Sequence, residues 1–474
     1  MSQERIAVYR KFRLATCGLG GLLYGIDVGL IAAALPYIKA TCAFTSGQLS
    51  SVVAAVLLGN IPGTILAASV AERFGRVMAI RAAAIVFTAA VPFICLSGGA
   101  YWPMLAGRVL QGVGCGLVAI AGPMYLAECL PAESRGKGTG MFQLVLVIGL
   151  FVASIVGMGV AAFFGDASSS SVSPAAKNIA WQSIFWFSAV PGAALVVASF
   201  FLRESPRWLA RRGRRAEACA ALRIDYPEAE AARQLAAIEV SLGGDGTVNA
   251  PAAGTVWRHR YLAPFALAFL IAVFVQASGI NSVLNYSVTI FDRAGLPGVW
   301  ANGADAAIKA ANFLMTIVAC ALVDRKGRKF LLMLGSAGLV LGLGAVGAVF
   351  WSMDAFGLAP SPATGVITLA AFILFVSSFA VGPGVCVHLA LSELIPTRIR
   401  ATGMLVCVMA SMSVSYAIAR AFLPWAEACG YQGVFFTLGG AMVLFFLVVA
   451  YAVPETKGRT LEEIERHFQG KEQK

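Results

Sequence analysis

The chain has 474 residues, 59% of them apolar and only 13% charged, with a formal net charge of +12. Soluble domains carry roughly 25% charged residues, so this chain has too little polar surface to cover a core in water. The balance excludes an ordinary soluble enzyme and leaves a protein whose solvent is a bilayer.

Apolar runs of about twenty residues, enough helix to cross roughly 30 Å of hydrocarbon, recur along the chain. The first six fall near 13–36, 48–71, 78–98, 102–127, 140–164 and 181–202. The first follows Arg10, Lys11 and Arg13 and imitates a secretory signal, but it is too long for one and holds Asp27 within it. It reads as a span. The fourth carries a second intramembrane charge, Arg108.

A polar interruption from Arg203 to Arg260 follows, RESPRWLARRGRR and then an alanine-rich acidic stretch and SLGGDGTVNAPAAG. It reads as short amphipathic helices and a flexible linker. Six more spans lie near 261–291, 303–324, 330–351, 365–394, 402–424 and 431–453. The predicted organisation is a helical bundle over 1–202, a linker over 203–260, a second bundle over 261–453 and a tail over 454–474.

Twelve spans put both termini on one side. Only Lys39, Lys177 and Arg293 fall in loops on the far side, Arg108, Lys309 and Arg420 lie inside spans, and nearly all other Lys and Arg lie on the terminal side. The positive-inside rule then predicts cytoplasmic termini. The basic charge reports topology and not nucleic acid. The ten cysteines lie mostly in spans and show no metal-ligand spacing; Cys42 and Cys429 both fall near the far side.

Three segments on the terminal side occur twice in the same order. AERFGR (71–76) is echoed by VDRKGRK (323–329), Glu128 with PAESRGKGTG by Glu393 with PTRIRATG, and RESPRWLARRGR by PETKGRTLEEIE from Pro454. Three ordered echoes imply a duplicated six-helix unit. Parallel repeats about a membrane-normal axis are the architecture of carriers that rock two halves around a midplane site.

GGLLYGID (20–27), RFGR (73–76), GRVLQGVGCG (107–116), PMYLAECLPAESRGK (123–137), ESPRWL (204–209), SGINSVLNY (278–286), DRKGRK (324–329) and PETKGRTLEEIE (454–465) stand in order along the chain. On these motifs the chain resembles the sugar porter family of the major facilitator superfamily, from about Phe12 to Phe468. The resemblance implies an all-α fold of twelve transmembrane helices in two pseudo-symmetric six-helix bundles. It also implies secondary transport of a monosaccharide (pentose, hexose or polyol) by proton symport in the plasma (inner) membrane. The partners expected are a sugar, protons and lipid, with a monomeric chain, no cofactor, no metal and no catalytic residue.

Asp27 and Arg108 stand where proton-coupled members carry an Asp and an Arg. A charge in the bilayer centre costs about 2.5–3.5 kcal/mol on insertion scales and is seldom left without a role. Amide side chains both donate and accept, which suits sugar hydroxyls. Gln143, Gln276, Asn281 and Asn312 match amides of the family's sugar site. Gln276, Asn281 and Asn285 fall within about two and a half turns of helix and can share much of one face.

The chain departs from the family pattern at Val275 (usually Gln), Asn285 (usually Tyr), Ser411 (usually an amide), Met412 (often aromatic), His388 (usually Trp) and Gln182 (commonly Arg). Asn285, His388 and Ser411 therefore join the substrate-site candidates. A cytoplasmic latch of ion pairs is expected among Glu72, Arg76, Glu128, Arg135, Glu204, Asp324, Arg328, Glu393 and Arg400. Lys309, three residues before Asn312, could with His388 and Arg420 give the cavity a positive cast for a sugar acid or other small anion; alternatively Lys309 and Arg420 snorkel to the interface. A passive uniporter and a non-transporting sensor are the other readings. Asp27 argues against the first, and the short stretch after Pro454 against the second. No GxxxxGK[ST] phosphate loop supports an ATP-driven pump.

Overall fold

The structure is a computed structural model that describes residues 3–130, 132–244, 259–396, 399–455 and 463, without the side chains of 3–5, 132–139, 241–244, 259–261, Asp324, His388, Arg400 and Ala401. Six long helices come first: α1 (Gln3–Thr41), α2 (Ser46–Phe74), α3 (Arg76–Cys95), α4 (Tyr101–Cys129), α5 (Ala132–Phe164) and α6 (Pro174–Ser199). Three short ones follow, α7 (Pro206–Arg211), α8 (Arg215–Leu222) and α9 (Glu228–Gly244). The remainder comprises α10 (His259–Ala277), α11 (Ile280–Ala294), α12 (Val299–Lys326), α13 (Arg328–Ala355), α14 (Pro362–Phe379), α15 (Val385–Leu394) and α16 (Arg400–Ala452).

Eleven helical runs among the described residues are long and apolar enough to cross a membrane. The last, Thr402–Ala452, has 51 residues, which at about 1.5 Å per residue is more than twice the hydrocarbon thickness. It bends at Gly430, whose φ of 71° and ψ of 164° are non-helical, so it counts as two spans. The predicted dozen is met. Large side chains such as Phe163, Trp102, Leu341 and Leu444 are exposed, as lipid-facing positions must be.

The described residues pack as two compact units. One gathers residues within Met1–Leu30, Ala55–Ala153 and Gln182–Ala250; the other gathers those within Ile31–Ala54, Ser154–Trp181 and Pro251–Lys474. The cuts fall inside α1, α2, α5 and α6, so the second unit holds one end of each of these helices together with α10–α16.

Small residues set how closely the helices of the first unit approach. A Cβ on Gly21 or Gly25 would run into α5 backbone, for Gly25 at the Leu146 carbonyl oxygen, one on Gly29 would strike the Ala153 Cβ, and Gly149 meets the Leu22 carbonyl from the other side. This is small-xxx-small packing, which lets two membrane helices touch along their backbones. The predicted amphipathic linker helices fold on themselves: Trp208, Leu209, Ala218, Leu222, Ala231 and Leu235 form a small apolar core. Asp225, after α8, accepts from buried Arg13 of α1 at 2.8 and 2.9 Å, pinning this cluster to the first helix.

Candidate functional site

The packing of α1 fixes where Asp27 points. Gly25 and Gly29 face α5, and a side chain two residues on is turned by about 200°, so Asp27 is directed away from α5 toward α4. There Arg108 Nη1 lies 2.7 Å from Asp27 Oδ1, with both side chains nearly inaccessible. The same nitrogen donates to Gln111 Oε1 at 2.8 Å, and Cys115 Sγ approaches Asp27 Oδ2 at 3.9 Å. The guanidinium sits 5.5 Å from the Phe185 ring centroid. The pair is one short charge-assisted contact in an apolar shell, which strengthens it while intact and makes separation of its charges costly. Arg108 Nε and Gln111 Nε2 are buried with no partner. Sequence reasoning misses Gln111, although its i+3 spacing from Arg108 is the available sign. A Gly25→Leu change should abolish folded protein, because its side chain collides with α5 backbone; size-exclusion of the detergent-solubilised variant reads this directly.

Of the expected sugar contacts, Gln143 lies on α5 and is exposed. Two of the carboxy-terminal amides, Gln276 and Asn281, are brought together by a broken helix. The chain from Gln276 to Asn285 is not the single continuous helix that its spacing predicts: α10 ends at Ala277, and Gly279 turns the chain in the left-handed region at φ 73° before α11 begins. Across that break Asn281 Nδ2 donates to Gln276 Oε1 at 3.0 Å and to Ser415 Oγ at 2.8 Å. Asn285 is buried with its Oδ1 unpartnered, as is Ser282 Oγ. Asn312 of α12 is also buried. Ser411 spends its hydroxyl on the Ala272 carbonyl at 2.8 Å, and Ser415, one turn on, is the serine that reaches the amides. The Ala380–Gly384 stretch before α15 is a π-helical turn, which adds a residue to the turn and shifts the register of everything after it. The His388 side chain lies outside the described residues.

Lys309 does not snorkel. It is fully buried and its Nζ lies 2.8 Å from Oδ2 of Asp305, equally buried one turn earlier on α12. Asp305 also accepts from Ser154 Oγ at 2.7 Å and Ser287 Oγ at 2.5 Å. Sequence reasoning misses Asp305 as well, and its i,i+4 spacing to Lys309 is the sign that reveals it. Arg420 is partly buried.

The expected latch residues form two similar clasps, each within its own unit. In the first, Arg76 donates to Glu128 at 2.9 and 2.8 Å, and Glu128 also accepts from Ser205. Glu204 accepts the backbone N–H groups of Arg76, Val77 and Ser205. In the second, Arg328 pairs with Glu393 at 3.2 Å, and Glu455 accepts the backbone N–H groups of Arg328 and Lys329. Glu204 and Glu455 sit at helix N-termini, where backbone donors and the helix dipole favour negative charge. Gly75 and Gly327 precede those helices at φ 107° and 88°, and a Cβ on either would strike the capping carboxylate. Burial raises the Glu204 carboxyl above the usual range, with its backbone donors pulling the other way. Glu72 is exposed, and the side chains of Arg135, Asp324 and Arg400 lie outside the described residues. Glu455 is not among the residues expected from sequence, although the echo of RESP in PETK points to it.

Twelve apolar spans, a duplicated clasp and polar groups buried in mid-span define a multi-pass membrane carrier. The family described as "Sugar (and other) transporter" matches residues 14–468. The chain belongs to that family, the sugar porters of the major facilitator superfamily, and is a transporter and not an enzyme. It is 32% identical to a probable metabolite transport protein of Bacillus subtilis, covering 96% of this chain and 94% of the relative. It is 29% identical to the galactose-proton symporter of Escherichia coli K12, covering 95% and 92%. The inward-open xylose transporter of Escherichia coli superimposes with a TM-score of 0.82 over 96% of this chain and 98% of that one, at 24% identity. That likeness shows the fold.

Proposed function

We propose that the chain imports a neutral monosaccharide or polyol by proton symport, with alternating access between two six-helix halves, 1–202 and 261–453, joined by the 203–260 linker. The tail over 454–474 and both termini are read as cytoplasmic, and the chain as a monomer in the plasma membrane. The observation that carries the reading is the Asp27–Arg108 pair: a buried carboxylate held by one guanidinium contact can take up a proton when that contact opens. The galactose-proton symporter among its relatives supports the coupling. Gln276, Asn281, Asn285 and Asn312, with Gln143, are the proposed sugar contacts. The unpartnered Asn285 Oδ1 and Ser282 Oγ favour a ligand that brings hydroxyl donors.

The reading of a sugar acid or other small anion loses its main support, because Lys309 is neutralised by Asp305. Uptake into proteoliposomes under an imposed pH gradient, screened over pentoses, hexoses, polyols and uronates, tests the proposal. Accumulation of a neutral sugar driven by inward protons is expected. Accumulation of a uronate alone would overturn the substrate class, and sugar uptake indifferent to the gradient would overturn symport.

A further inference from the structure

The polar residues of α12 are not scattered. Asn302, Asp305, Lys309, Asn312 and Thr316 follow in alternating steps of three and four, which places them on one stripe of the helix. All five are buried. From first to last the stripe rises about 21 Å, well over half of the roughly 30 Å of hydrocarbon. A buried stripe of this length, polar throughout, is costly in a membrane helix unless it lines a path for solute or water.

The stripe begins at a cavity and runs on through Asn312, one of the proposed sugar contacts, to Thr316. Asn302 lines a cavity of about 470 Å³ together with Tyr37, Lys39, Asp166, Asp292 and Arg293. Its Nδ2 donates to the Gly298 carbonyl at 3.0 Å, and its Oδ1 is buried with no partner. One turn along comes Asp305 with Lys309, and a further turn on comes Asn312. The ion pair therefore separates the cavity from the proposed sugar contact on this helix.

The pair is held by donors from two other helices. Asp305 accepts from Lys309 on α12 and from Ser287 on α11, and also from Ser154 on α5. Ser154 and Asp305 both belong to the second unit. The geometry points to an ionic gate on the face of the membrane opposite the termini: Asp305 and Lys309 close the polar stripe of α12, and Ser154 fastens the carboxylate to α5. Opening this face requires α5 to withdraw its hydroxyl and water from the cavity to reach the pair. The gate is an additional set of positioning residues for transport and rests on the alternating-access reading above.

The test uses the full-length chain with Cys320 and Cys429, the exposed thiols, replaced by Ser and a reporter thiol introduced as Asn312→Cys. A membrane-impermeant maleimide is added to right-side-out and to inverted vesicles, so that each face is probed separately. Ser154→Ala removes one charge-assisted hydrogen bond and leaves the ion pair on α12 intact. It should speed labelling from the face opposite the termini about tenfold and slow it from the terminal face. The double variant Asp305→Asn/Lys309→Met, which leaves no lone buried charge, should shift labelling in the same direction. Unchanged labelling in Ser154→Ala overturns the gate and makes the pair a static anchor. Faster labelling from both faces in either variant also overturns it, because that reports general loosening. Labelling needs neither sugar nor a proton gradient, so a failed symport assay and a failed gate are separate results.

Discussion

An Asp27→Asn variant is expected to lose concentrative uptake while retaining exchange of substrate down its gradient. For one proton per solute, a pH step of one unit supports roughly tenfold accumulation, since one pKa unit is worth about 1.4 kcal/mol. The Asn amide is nearly isosteric with the carboxylate and keeps an acceptor for Arg108, which also retains Gln111 at 2.8 Å. What it cannot do is carry a proton. The accumulation ratio in proteoliposomes should therefore fall to unity at every imposed pH step, with counterflow preserved. An Asn variant that still concentrates solute would sink the coupling role of Asp27.

Lys309→Met alone is expected to be the most destabilising conservative change in the second unit. It leaves the Asp305 carboxylate fully buried, with two serine hydroxyls in place of a counter-charge. Removing one member of a buried ion pair costs about 3–5 kcal/mol, whereas replacing both members is often near neutral. Thermal unfolding of the purified protein in detergent should show a large fall for Lys309→Met and recovery of most of it in Asp305→Asn/Lys309→Met. Equal losses in the single and double variants would mean that packing around α12, and not charge compensation, sets the cost.

The spans are legible in the sequence because hydrocarbon thickness and helical rise leave little freedom: a run of apolar residues of the right length has few alternatives. Even the bend at Gly430 leaves a trace, since composition gives two spans where one helical run of 53 residues forms. Asp27 and Arg108 are legible because charges in mid-span are rare. Asp305 is equally rare, but Lys309 taken as a lone cation hides the partner four residues before it. The break at Gly279 is less accessible. Leu438 packs against that left-handed turn, a contact more than 150 residues away in sequence, so local spacing reads a continuous helical face where the chain is interrupted. The full environment of the Asp305 carboxylate is hidden for the same reason, since Ser154 and Ser287 approach from other helices. The clasps fall between these cases. Their repetition is visible, but their closing carboxylates, Glu204 and Glu455, act through backbone N–H groups that no side-chain pattern displays.

The two clasps also bear on ancestry. Each begins at a glycine between the second and third long helices of its repeat and is closed by a carboxylate that follows the sixth. A single ancestral copy would thus have carried every residue needed to fasten its own last segment to its own interior. Gene duplication and fusion would then have joined two already finished modules, with the connecting segment free to diverge, which accords with how loosely the stretch after Pro454 echoes the one after Arg203.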